Sequence, residues 1–335
     1  MIIREELEKR ESLFLSKYAA RASETRGRVQ EEEKCTVRTD FQRDRDRIVH
    51  SKAFRRLMHK TQVFLAPEDD HFRTRLTHTI EVSQIARTIA RGSALNEDLA
   101  EAIAMGHDLG HTPFGHSGET VLNEIYPGGF RHNEQSLRVV DVLESTSSSR
   151  RGMNLTYEVR DGILNHTGSV RPVTVEGQIV KISDRIAYIN HDIDDAIRSG
   201  VITADDLPGE SIRVLGDTHK KRIDTLVKDM IKNTSESPEA ALSDDVAEAM
   251  DELRSYMFAN VYHSANVKKA EDMNKVRTII TSLYEYFLEN PGGLPADTKQ
   301  EGTDTEEMVK DYIAGMTDRY AINLYNELFV AKGWR

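Results

Sequence analysis

The 335-residue chain has one cysteine, Cys35, so no intramolecular disulfide can staple it. A lone thiol suits a reducing compartment, and a cytoplasmic location is expected. No run of about 18 apolar residues occurs, which excludes a membrane-spanning helix. Residues 1–10 intersperse Ile2, Ile3 and Leu7 with six charged side chains, and no signal peptide is expected from that pattern. Eight prolines and 20 glycines are too few for a collagenous or low-complexity chain. Strict apolar and polar alternation is missing beyond a few residues, which argues against an extensive sheet. At this length roughly 75% of the unfolded surface can be buried, so a core is available without staples.

Helical periodicity is what remains. The fold is expected to be mostly α, with helices over 1–24, 41–59, 75–92, 97–107, 117–125, 133–145, 157–165, 176–199, 211–233, 243–262, 267–289 and 305–331. Breaks fall at Gly92, Pro113, Pro127-Gly128-Gly129 and around Pro208-Gly209. The expected organisation is a basic N-terminal segment, residues 1–60, then a core over 61–200, then C-terminal helices over 201–335 packed on that core.

Charge is unevenly spread. The formal net charge is −11, yet residues 1–65 carry 16 Lys and Arg against 11 Asp and Glu, a net of +5, leaving −16 for the rest. Within 38–60, Arg38, Arg43, Arg45, Arg47, Lys52, Arg55, Arg56 and Lys60 face Asp40, Asp44 and Asp46. That segment could meet a phosphate-rich ligand or form a solvated helix face with local ion pairs. Its base-stacking aromatics, Phe41, Phe54 and Phe64, are few for a single-stranded DNA platform.

Histidines cluster where chemistry would need them. Gly106-His107-Asp108-Leu109-Gly110-His111-Thr112-Pro113-Phe114-Gly115-His116 packs three imidazoles and a carboxylate into one glycine-broken turn, and His132 follows. Imidazole and carboxylate suit a borderline divalent ion, and Gly106 and Gly110 are expected to loosen the helix so that His107 and Asp108 reach one ion. At about 100° per residue, His78 shares a stripe with Val82, Ile85 and Ile89 and should face the core. On 176–199, Asp184 lies opposite an isoleucine stripe, with Tyr188, His191, Asp192 and Asp195 on the same polar side.

In order, His78, His107-Asp108 and Asp184 form the H…HD…D pattern of HD-domain phosphohydrolases. Phe41-Gln42-Arg43-Asp44-Arg45-Asp46-Arg47-Ile48, Ser51-Lys52-Ala53-Phe54-Arg55-Arg56-Leu57, Lys60-Thr61-Gln62-Val63-Phe64, Arg75-Leu76-Thr77-His78-Thr79, the run from Gly106 to Glu119, and Ile182-Ser183-Asp184-Arg185-Ile186-Ala187-Tyr188 narrow this further. The chain resembles the deoxyguanosine triphosphate triphosphohydrolase family, dGTPase-like branch, over at least 38–200.

The resemblance implies an HD-domain helical fold with additional C-terminal helices, and metal-dependent hydrolysis of 2′-deoxynucleoside triphosphates to deoxynucleoside and tripolyphosphate. His78, His107, Asp108 and Asp184 would bind one divalent ion such as Mg²⁺ or Mn²⁺. His116 would be the catalytic histidine with Glu119 as partner. His111, His132 and Arg75 would contact phosphates, Gln62 the sugar 3′-hydroxyl, and Tyr188 and Asp192 the sugar; His166 is a further pocket candidate. Implied partners are a deoxynucleoside triphosphate, further copies of the chain with a hexamer favoured, and a nucleotide effector, with single-stranded DNA as another candidate. The alternatives are another HD-type nucleotide phosphohydrolase, or a nucleotide-binding regulatory oligomer with a vestigial site. No ligand has been lost from the pattern, and Asp108 is not followed by the HD-x-x-ED run of a guanosine tetraphosphate hydrolase.

Overall fold

The structure, a computed structural model, describes residues 3–62, 73–145, 152–262, 270–298 and 302–331. Among these, fifteen α-helices and no strand occur: α1 (Ile3–Phe14), α2 (Asp40–Val49), α3 (Lys52–Arg56), α4 (Arg75–Gly92), α5 (Glu97–Gly106), α6 (Gly115–Ile125), α7 (His132–Arg138), α8 (Tyr157–Asn165), α9 (Val175–Arg198), α10 (Gly209–Leu215), α11 (His219–Thr234), α12 (Asp244–Met257), α13 (Ala270–Glu289), α14 (Thr305–Ala314) and α15 (Asp318–Phe329). The mostly α expectation holds. Phe64 of the basic segment lies outside the described residues. No helix among them is long and apolar enough to cross a membrane.

Helix α4 packs on both α5 and α9, with α2 on α5 and α8 against α5 and α9. The stripe Val82, Ile85 and Ile89 is buried, as are Leu99 and Ile103 of α5 and Ile179, Ile186 and Ile193 of α9. A second apolar cluster gathers Val121 and Leu122 of α6 with Ile280, Leu283 and Phe287 of α13, Ile313 of α14 and Ala321 of α15. The C-terminal helices therefore pack on α6, the helix that follows the histidine-rich turn.

Several helices are shorter than their periodicity predicts, because local acceptors take their N–H groups. The chain leaves α1 after Phe14, where Ser16 N–H donates to Ala94 O; Ala20 N–H donates to Glu176 and Ala22 N–H to Glu11. The predicted 41–59 helix is interrupted at Ser51, whose side chain accepts from Phe54 N–H and starts α3. Gly216, at φ +114°, divides the predicted 211–233 helix. Thr317 caps α15 and divides the predicted 305–331 helix. The predicted 133–145 helix becomes α7 and a π turn over Val139–Leu143.

Candidate metal centre and active site

Residues far apart in sequence meet where α4, the end of α5 and α9 converge. His78 Nε2 donates to Asp184 Oδ1 at 3.0 Å. His107 Nδ1 lies 2.6 Å from Ala104 O; a carbonyl only accepts, so Nδ1 carries a proton and Nε2 is the nitrogen left for a ligand. That Nε2 is buried without a hydrogen-bond partner, 3.5 Å from Asp108 Oδ1 and 3.9 Å from Asp184 Oδ1. Two carboxylates and an imidazole nitrogen converging in one buried place are a donor set that fits a divalent ion. His78, His107 and Asp108 each place a ligand atom within 4.8 Å of the others.

The helix loosens where the sequence reading expected, since α5 ends at Gly106 and 107–110 form a turn. Gly106 and Gly110 do not take positive φ. A Cβ on Gly110 would stand 2.2 Å from Ser136 N and 2.5 Å from His132 O, so the glycine lets the turn lie directly on the α7 backbone. Gly110 N–H and His107 O both bond Ser136 Oγ, which fixes that approach.

Arg75, wholly buried, places a guanidinium nitrogen 2.8 Å from Asp108 Oδ2 and donates to Gln62 O at 3.3 Å. Burial would raise the Asp108 carboxyl, but the charges of His107, His111 and Arg75 outweigh it and hold it well below the carboxylate range. At Asp184 burial is likewise outweighed, by the hydrogen bond from His78 and the charges of His107 and His78, and the carboxyl is lowered to about 2.

Beside this group stands a second, graded towards solvent. His116 is exposed and its Nδ1 bonds Glu119 Oε2 at 3.0 Å. The other oxygen, Glu119 Oε1, accepts from His132 N–H and His132 Nδ1, each at 2.8 Å. Burial works against the charged form of Glu119, but the bonds from His116 and His132 prevail and keep it ionised. His111 stacks on His132 at 4.0 Å between ring centroids and lies 3.3 Å from Asp108 through Nε2. His111, His116, Glu119 and His132 thus adjoin the His78, His107, Asp108 and Asp184 group.

Tyr188 and Asp192 sit further along α9, where Asp192 is buried and Tyr188 half-buried. Arg254 Nε donates to Tyr188 Oη at 3.1 Å, and Tyr262 Oη donates to Asp192. Burial pushes Asp192 up to about 7, against the opposing hydrogen bond from Tyr262. Gln62 meets Arg75 through its carbonyl, while its side-chain Oε1 is buried without a partner.

Residues 75–189 match the HD domain family and residues 240–327 the phosphohydrolase-associated domain. A deoxyguanosinetriphosphate triphosphohydrolase-like protein of Caldanaerobacter subterraneus subsp. tengcongensis is 57% identical over 100% of this chain and 98% of its own. A protein of the same description from Desulfatibacillum aliphaticivorans is 47% identical over 98% of each. The chain belongs to the HD-domain deoxyguanosinetriphosphate triphosphohydrolase-like family. A crystal structure of a hypothetical protein from Aquifex aeolicus is similar at a TM-score of 0.47 and 20% identity, over 86% of this chain and 68% of that one.

The HD match spans every predicted metal ligand, from His78 to Asp184, and the associated-domain match contains Arg254, which bonds Tyr188, and Asp318, which bonds the main chain of Thr61 and Phe114. Sequence reasoning missed these contributors. Lys60 Nζ donates to His111 O and Ala314 O from a fully buried position, and Asp318 accepts from Thr61 N–H and Phe114 N–H at 3.0 and 2.9 Å. The sequence offered no periodic signal for either, since each bonds main chain across the fold.

The basic 38–60 segment is largely committed to internal partners. Arg38 pairs with Asp46, Arg45 with Asp46 and Glu101, and Arg47 with Glu32. Lys52, Arg55 and Arg56 nevertheless line a cavity of about 1240 Å³ behind the histidine turn, together with Leu109 and Gly110; none of the predicted metal ligands lines it.

Proposed function

We propose that the protein hydrolyses 2′-deoxynucleoside triphosphates to deoxynucleoside and tripolyphosphate, with a divalent ion held by His78, His107, Asp108 and Asp184. The observation that carries the reading is the unpartnered His107 Nε2 facing two carboxylates, one turn from a Glu119-centred histidine pair. When bound, the ion supplies charge stabilisation at the α-phosphate and a water of lowered pKa.

The remaining steps belong to the chain itself. Glu119 accepts from His116 Nδ1 and leaves Nε2 to deliver a proton to the departing 5′-oxygen. His116 is the exposed member of the cluster, so it can meet substrate. His111 and His132 line the phosphates, and Arg75 offsets their charge while orienting Asp108. Tyr188 and Asp192 take the sugar, steadied by Arg254 and Tyr262, with Gln62 at the 3′-hydroxyl. A ribose hydroxyl buried against Tyr188 without a partner would cost about 1–3 kcal/mol, which favours deoxyribose.

The reading includes a homo-oligomer, hexamer favoured, a cytoplasmic location, and the division at residues 60 and 200. A nucleotide effector would find its cations in the basic cavity lined by Lys52, Arg55 and Arg56. The test is product analysis with each of the four deoxynucleoside triphosphates, singly and mixed, in Mg²⁺ or Mn²⁺. Tripolyphosphate is expected from at least one, falling by roughly a thousandfold or more in His107→Ala and Asp184→Ala. Orthophosphate or pyrophosphate as product, or activity surviving both substitutions, would overturn the proposal.

A further inference from the structure

The ammonium of Lys181, on α9, meets four main-chain carbonyls of one short segment: Asn165 O at 3.2 Å, Thr167 O at 3.3 Å, Gly168 O at 2.8 Å and Val170 O at 2.7 Å. An ammonium has three N–H donors, so four acceptors saturate it and at least one donor is shared. The segment leaves the C-terminus of α8, where the last carbonyls lack intrahelical partners and carry partial negative charge. A cation placed there is favourable on both counts. Gly168, Ser169 and Val170 are exposed, so apolar burial does not hold this turn; the ammonium does.

Two of those carbonyls flank His166, since Asn165 precedes it and Thr167 follows it. His166 is buried, with its ring edge-on to His107 at 5.1 Å between centroids. Its Nδ1 lies 2.7 Å from Ile163 O, which only accepts, so Nδ1 carries the proton and Nε2 is left to accept. His132 Nε2 stands 3.3 Å away and donates to it, while His132 Nδ1 donates to Glu119. Burial works against the second proton on His132, but the bond and charge of Glu119 prevail and raise its proton affinity. His166 thus holds the interior end of the Glu119 and His132 arrangement. Lys181 also stands three residues before Asp184 on α9, about one helical turn away, so one side chain ties the His166 main chain to the helix that carries a predicted metal ligand.

We infer that Lys181 is a positioning residue for the hydrolysis proposed above: it grips the main chain on both sides of His166 and so sets the ring that receives the His132 N–H. The inference rests on that reaction, in which His132 lines the phosphates. Removing the ammonium leaves four carbonyl oxygens aimed at one point, and their mutual repulsion opens the turn and lets His166 drift from His132. Methionine keeps the apolar stem of Lys181 and removes its donors.

The experiment compares full-length wild type, Lys181→Met, His166→Ala and the double variant, with kcat and KM read from tripolyphosphate release and metal content measured on the same samples. Lys181→Met is expected to lose roughly tenfold in kcat, with KM and metal content within twofold of wild type. In the His166→Ala background the same change is expected to cost less than twofold, because the group it positions is gone. A Lys181→Met kcat within twofold of wild type, or a loss repeated in full in the His166→Ala background, overturns the role and leaves the hydrolysis standing. A wild type that releases no tripolyphosphate from any of the four deoxynucleoside triphosphates overturns the hydrolysis and this role together. Should a variant not fold, Lys181→Gln and His166→Gln run the same cycle.

Discussion

Glu119 shows how one carboxylate organises a site. Its two oxygens hold different histidines, His116 towards solvent and His132 towards the interior. Glutamine can accept through one oxygen only, and its amide would present hydrogens to the other ring. Glu119→Gln is expected to lower kcat by about a hundredfold with KM within a few-fold and metal content unchanged; steady-state kinetics beside metal analysis check this, and a kcat within twofold of wild type rules it out. At this scale much was legible. The stripe placed His78 inward, and the His107-Asp108 word marked the turn. The bonding of Lys60 and Asp318 was not, because a side chain that bonds main chain from a distant segment leaves no periodic trace.

Helix ends depend on partners that lie outside the helix. The charged pattern of residues 1–24 continues past Phe14, yet α1 ends there, since Glu176 Oε1 accepts from Ala20 N–H and Asn96 N–H and Glu11 accepts from Ala22 N–H. Glu176 is fully buried, and burial pushes its carboxyl up to about 7 against the opposing N–H donors. An unfolded glutamate loses its proton near about 4.3. Between that pH and about 7 the folded chain holds a proton that the unfolded chain has lost, so this group makes stability fall as pH rises, levelling above 7. Glu176→Gln keeps the carbonyl acceptor and removes the titration. The Tm of the variant relative to wild type is expected to climb from pH 5 to pH 7 and then hold, as thermal unfolding across pH 5–8 would show; parallel curves contradict it.

The C-terminal helices reach the site through the whole molecule. Asp318, at the start of α15, accepts main-chain N–H groups from Thr61 and Phe114. Thr61 precedes Gln62, the acceptor for Arg75, and Phe114 takes φ +64° just before α6 carries His116 and Glu119. Gly115 follows at φ +56°, and a Cβ there would stand 3.0 Å from Gln62 O, so this junction is conformationally demanding. One buried carboxylate thus ties the associated domain both to the segment before Gln62 and to the histidine turn. Asp318→Ala leaves two N–H groups without their acceptor, at about 1–3 kcal/mol each. A lower Tm is expected together with a roughly tenfold loss of kcat and intact metal binding. A lowered Tm with unchanged kcat would show that the tie is structural alone.

The sequence by itself determined the helical class, because apolar periodicity is a local property, and the inward stripe of His78, because it is read over a few turns of one helix. Only the tertiary structure decided which imidazole nitrogens face which carboxylates, where helices stop, and how α15 reaches the site. Those depend on hydrogen bonds between segments as far apart as Phe114 and Asp318, and such pairings are made by packing rather than by any spacing along the chain.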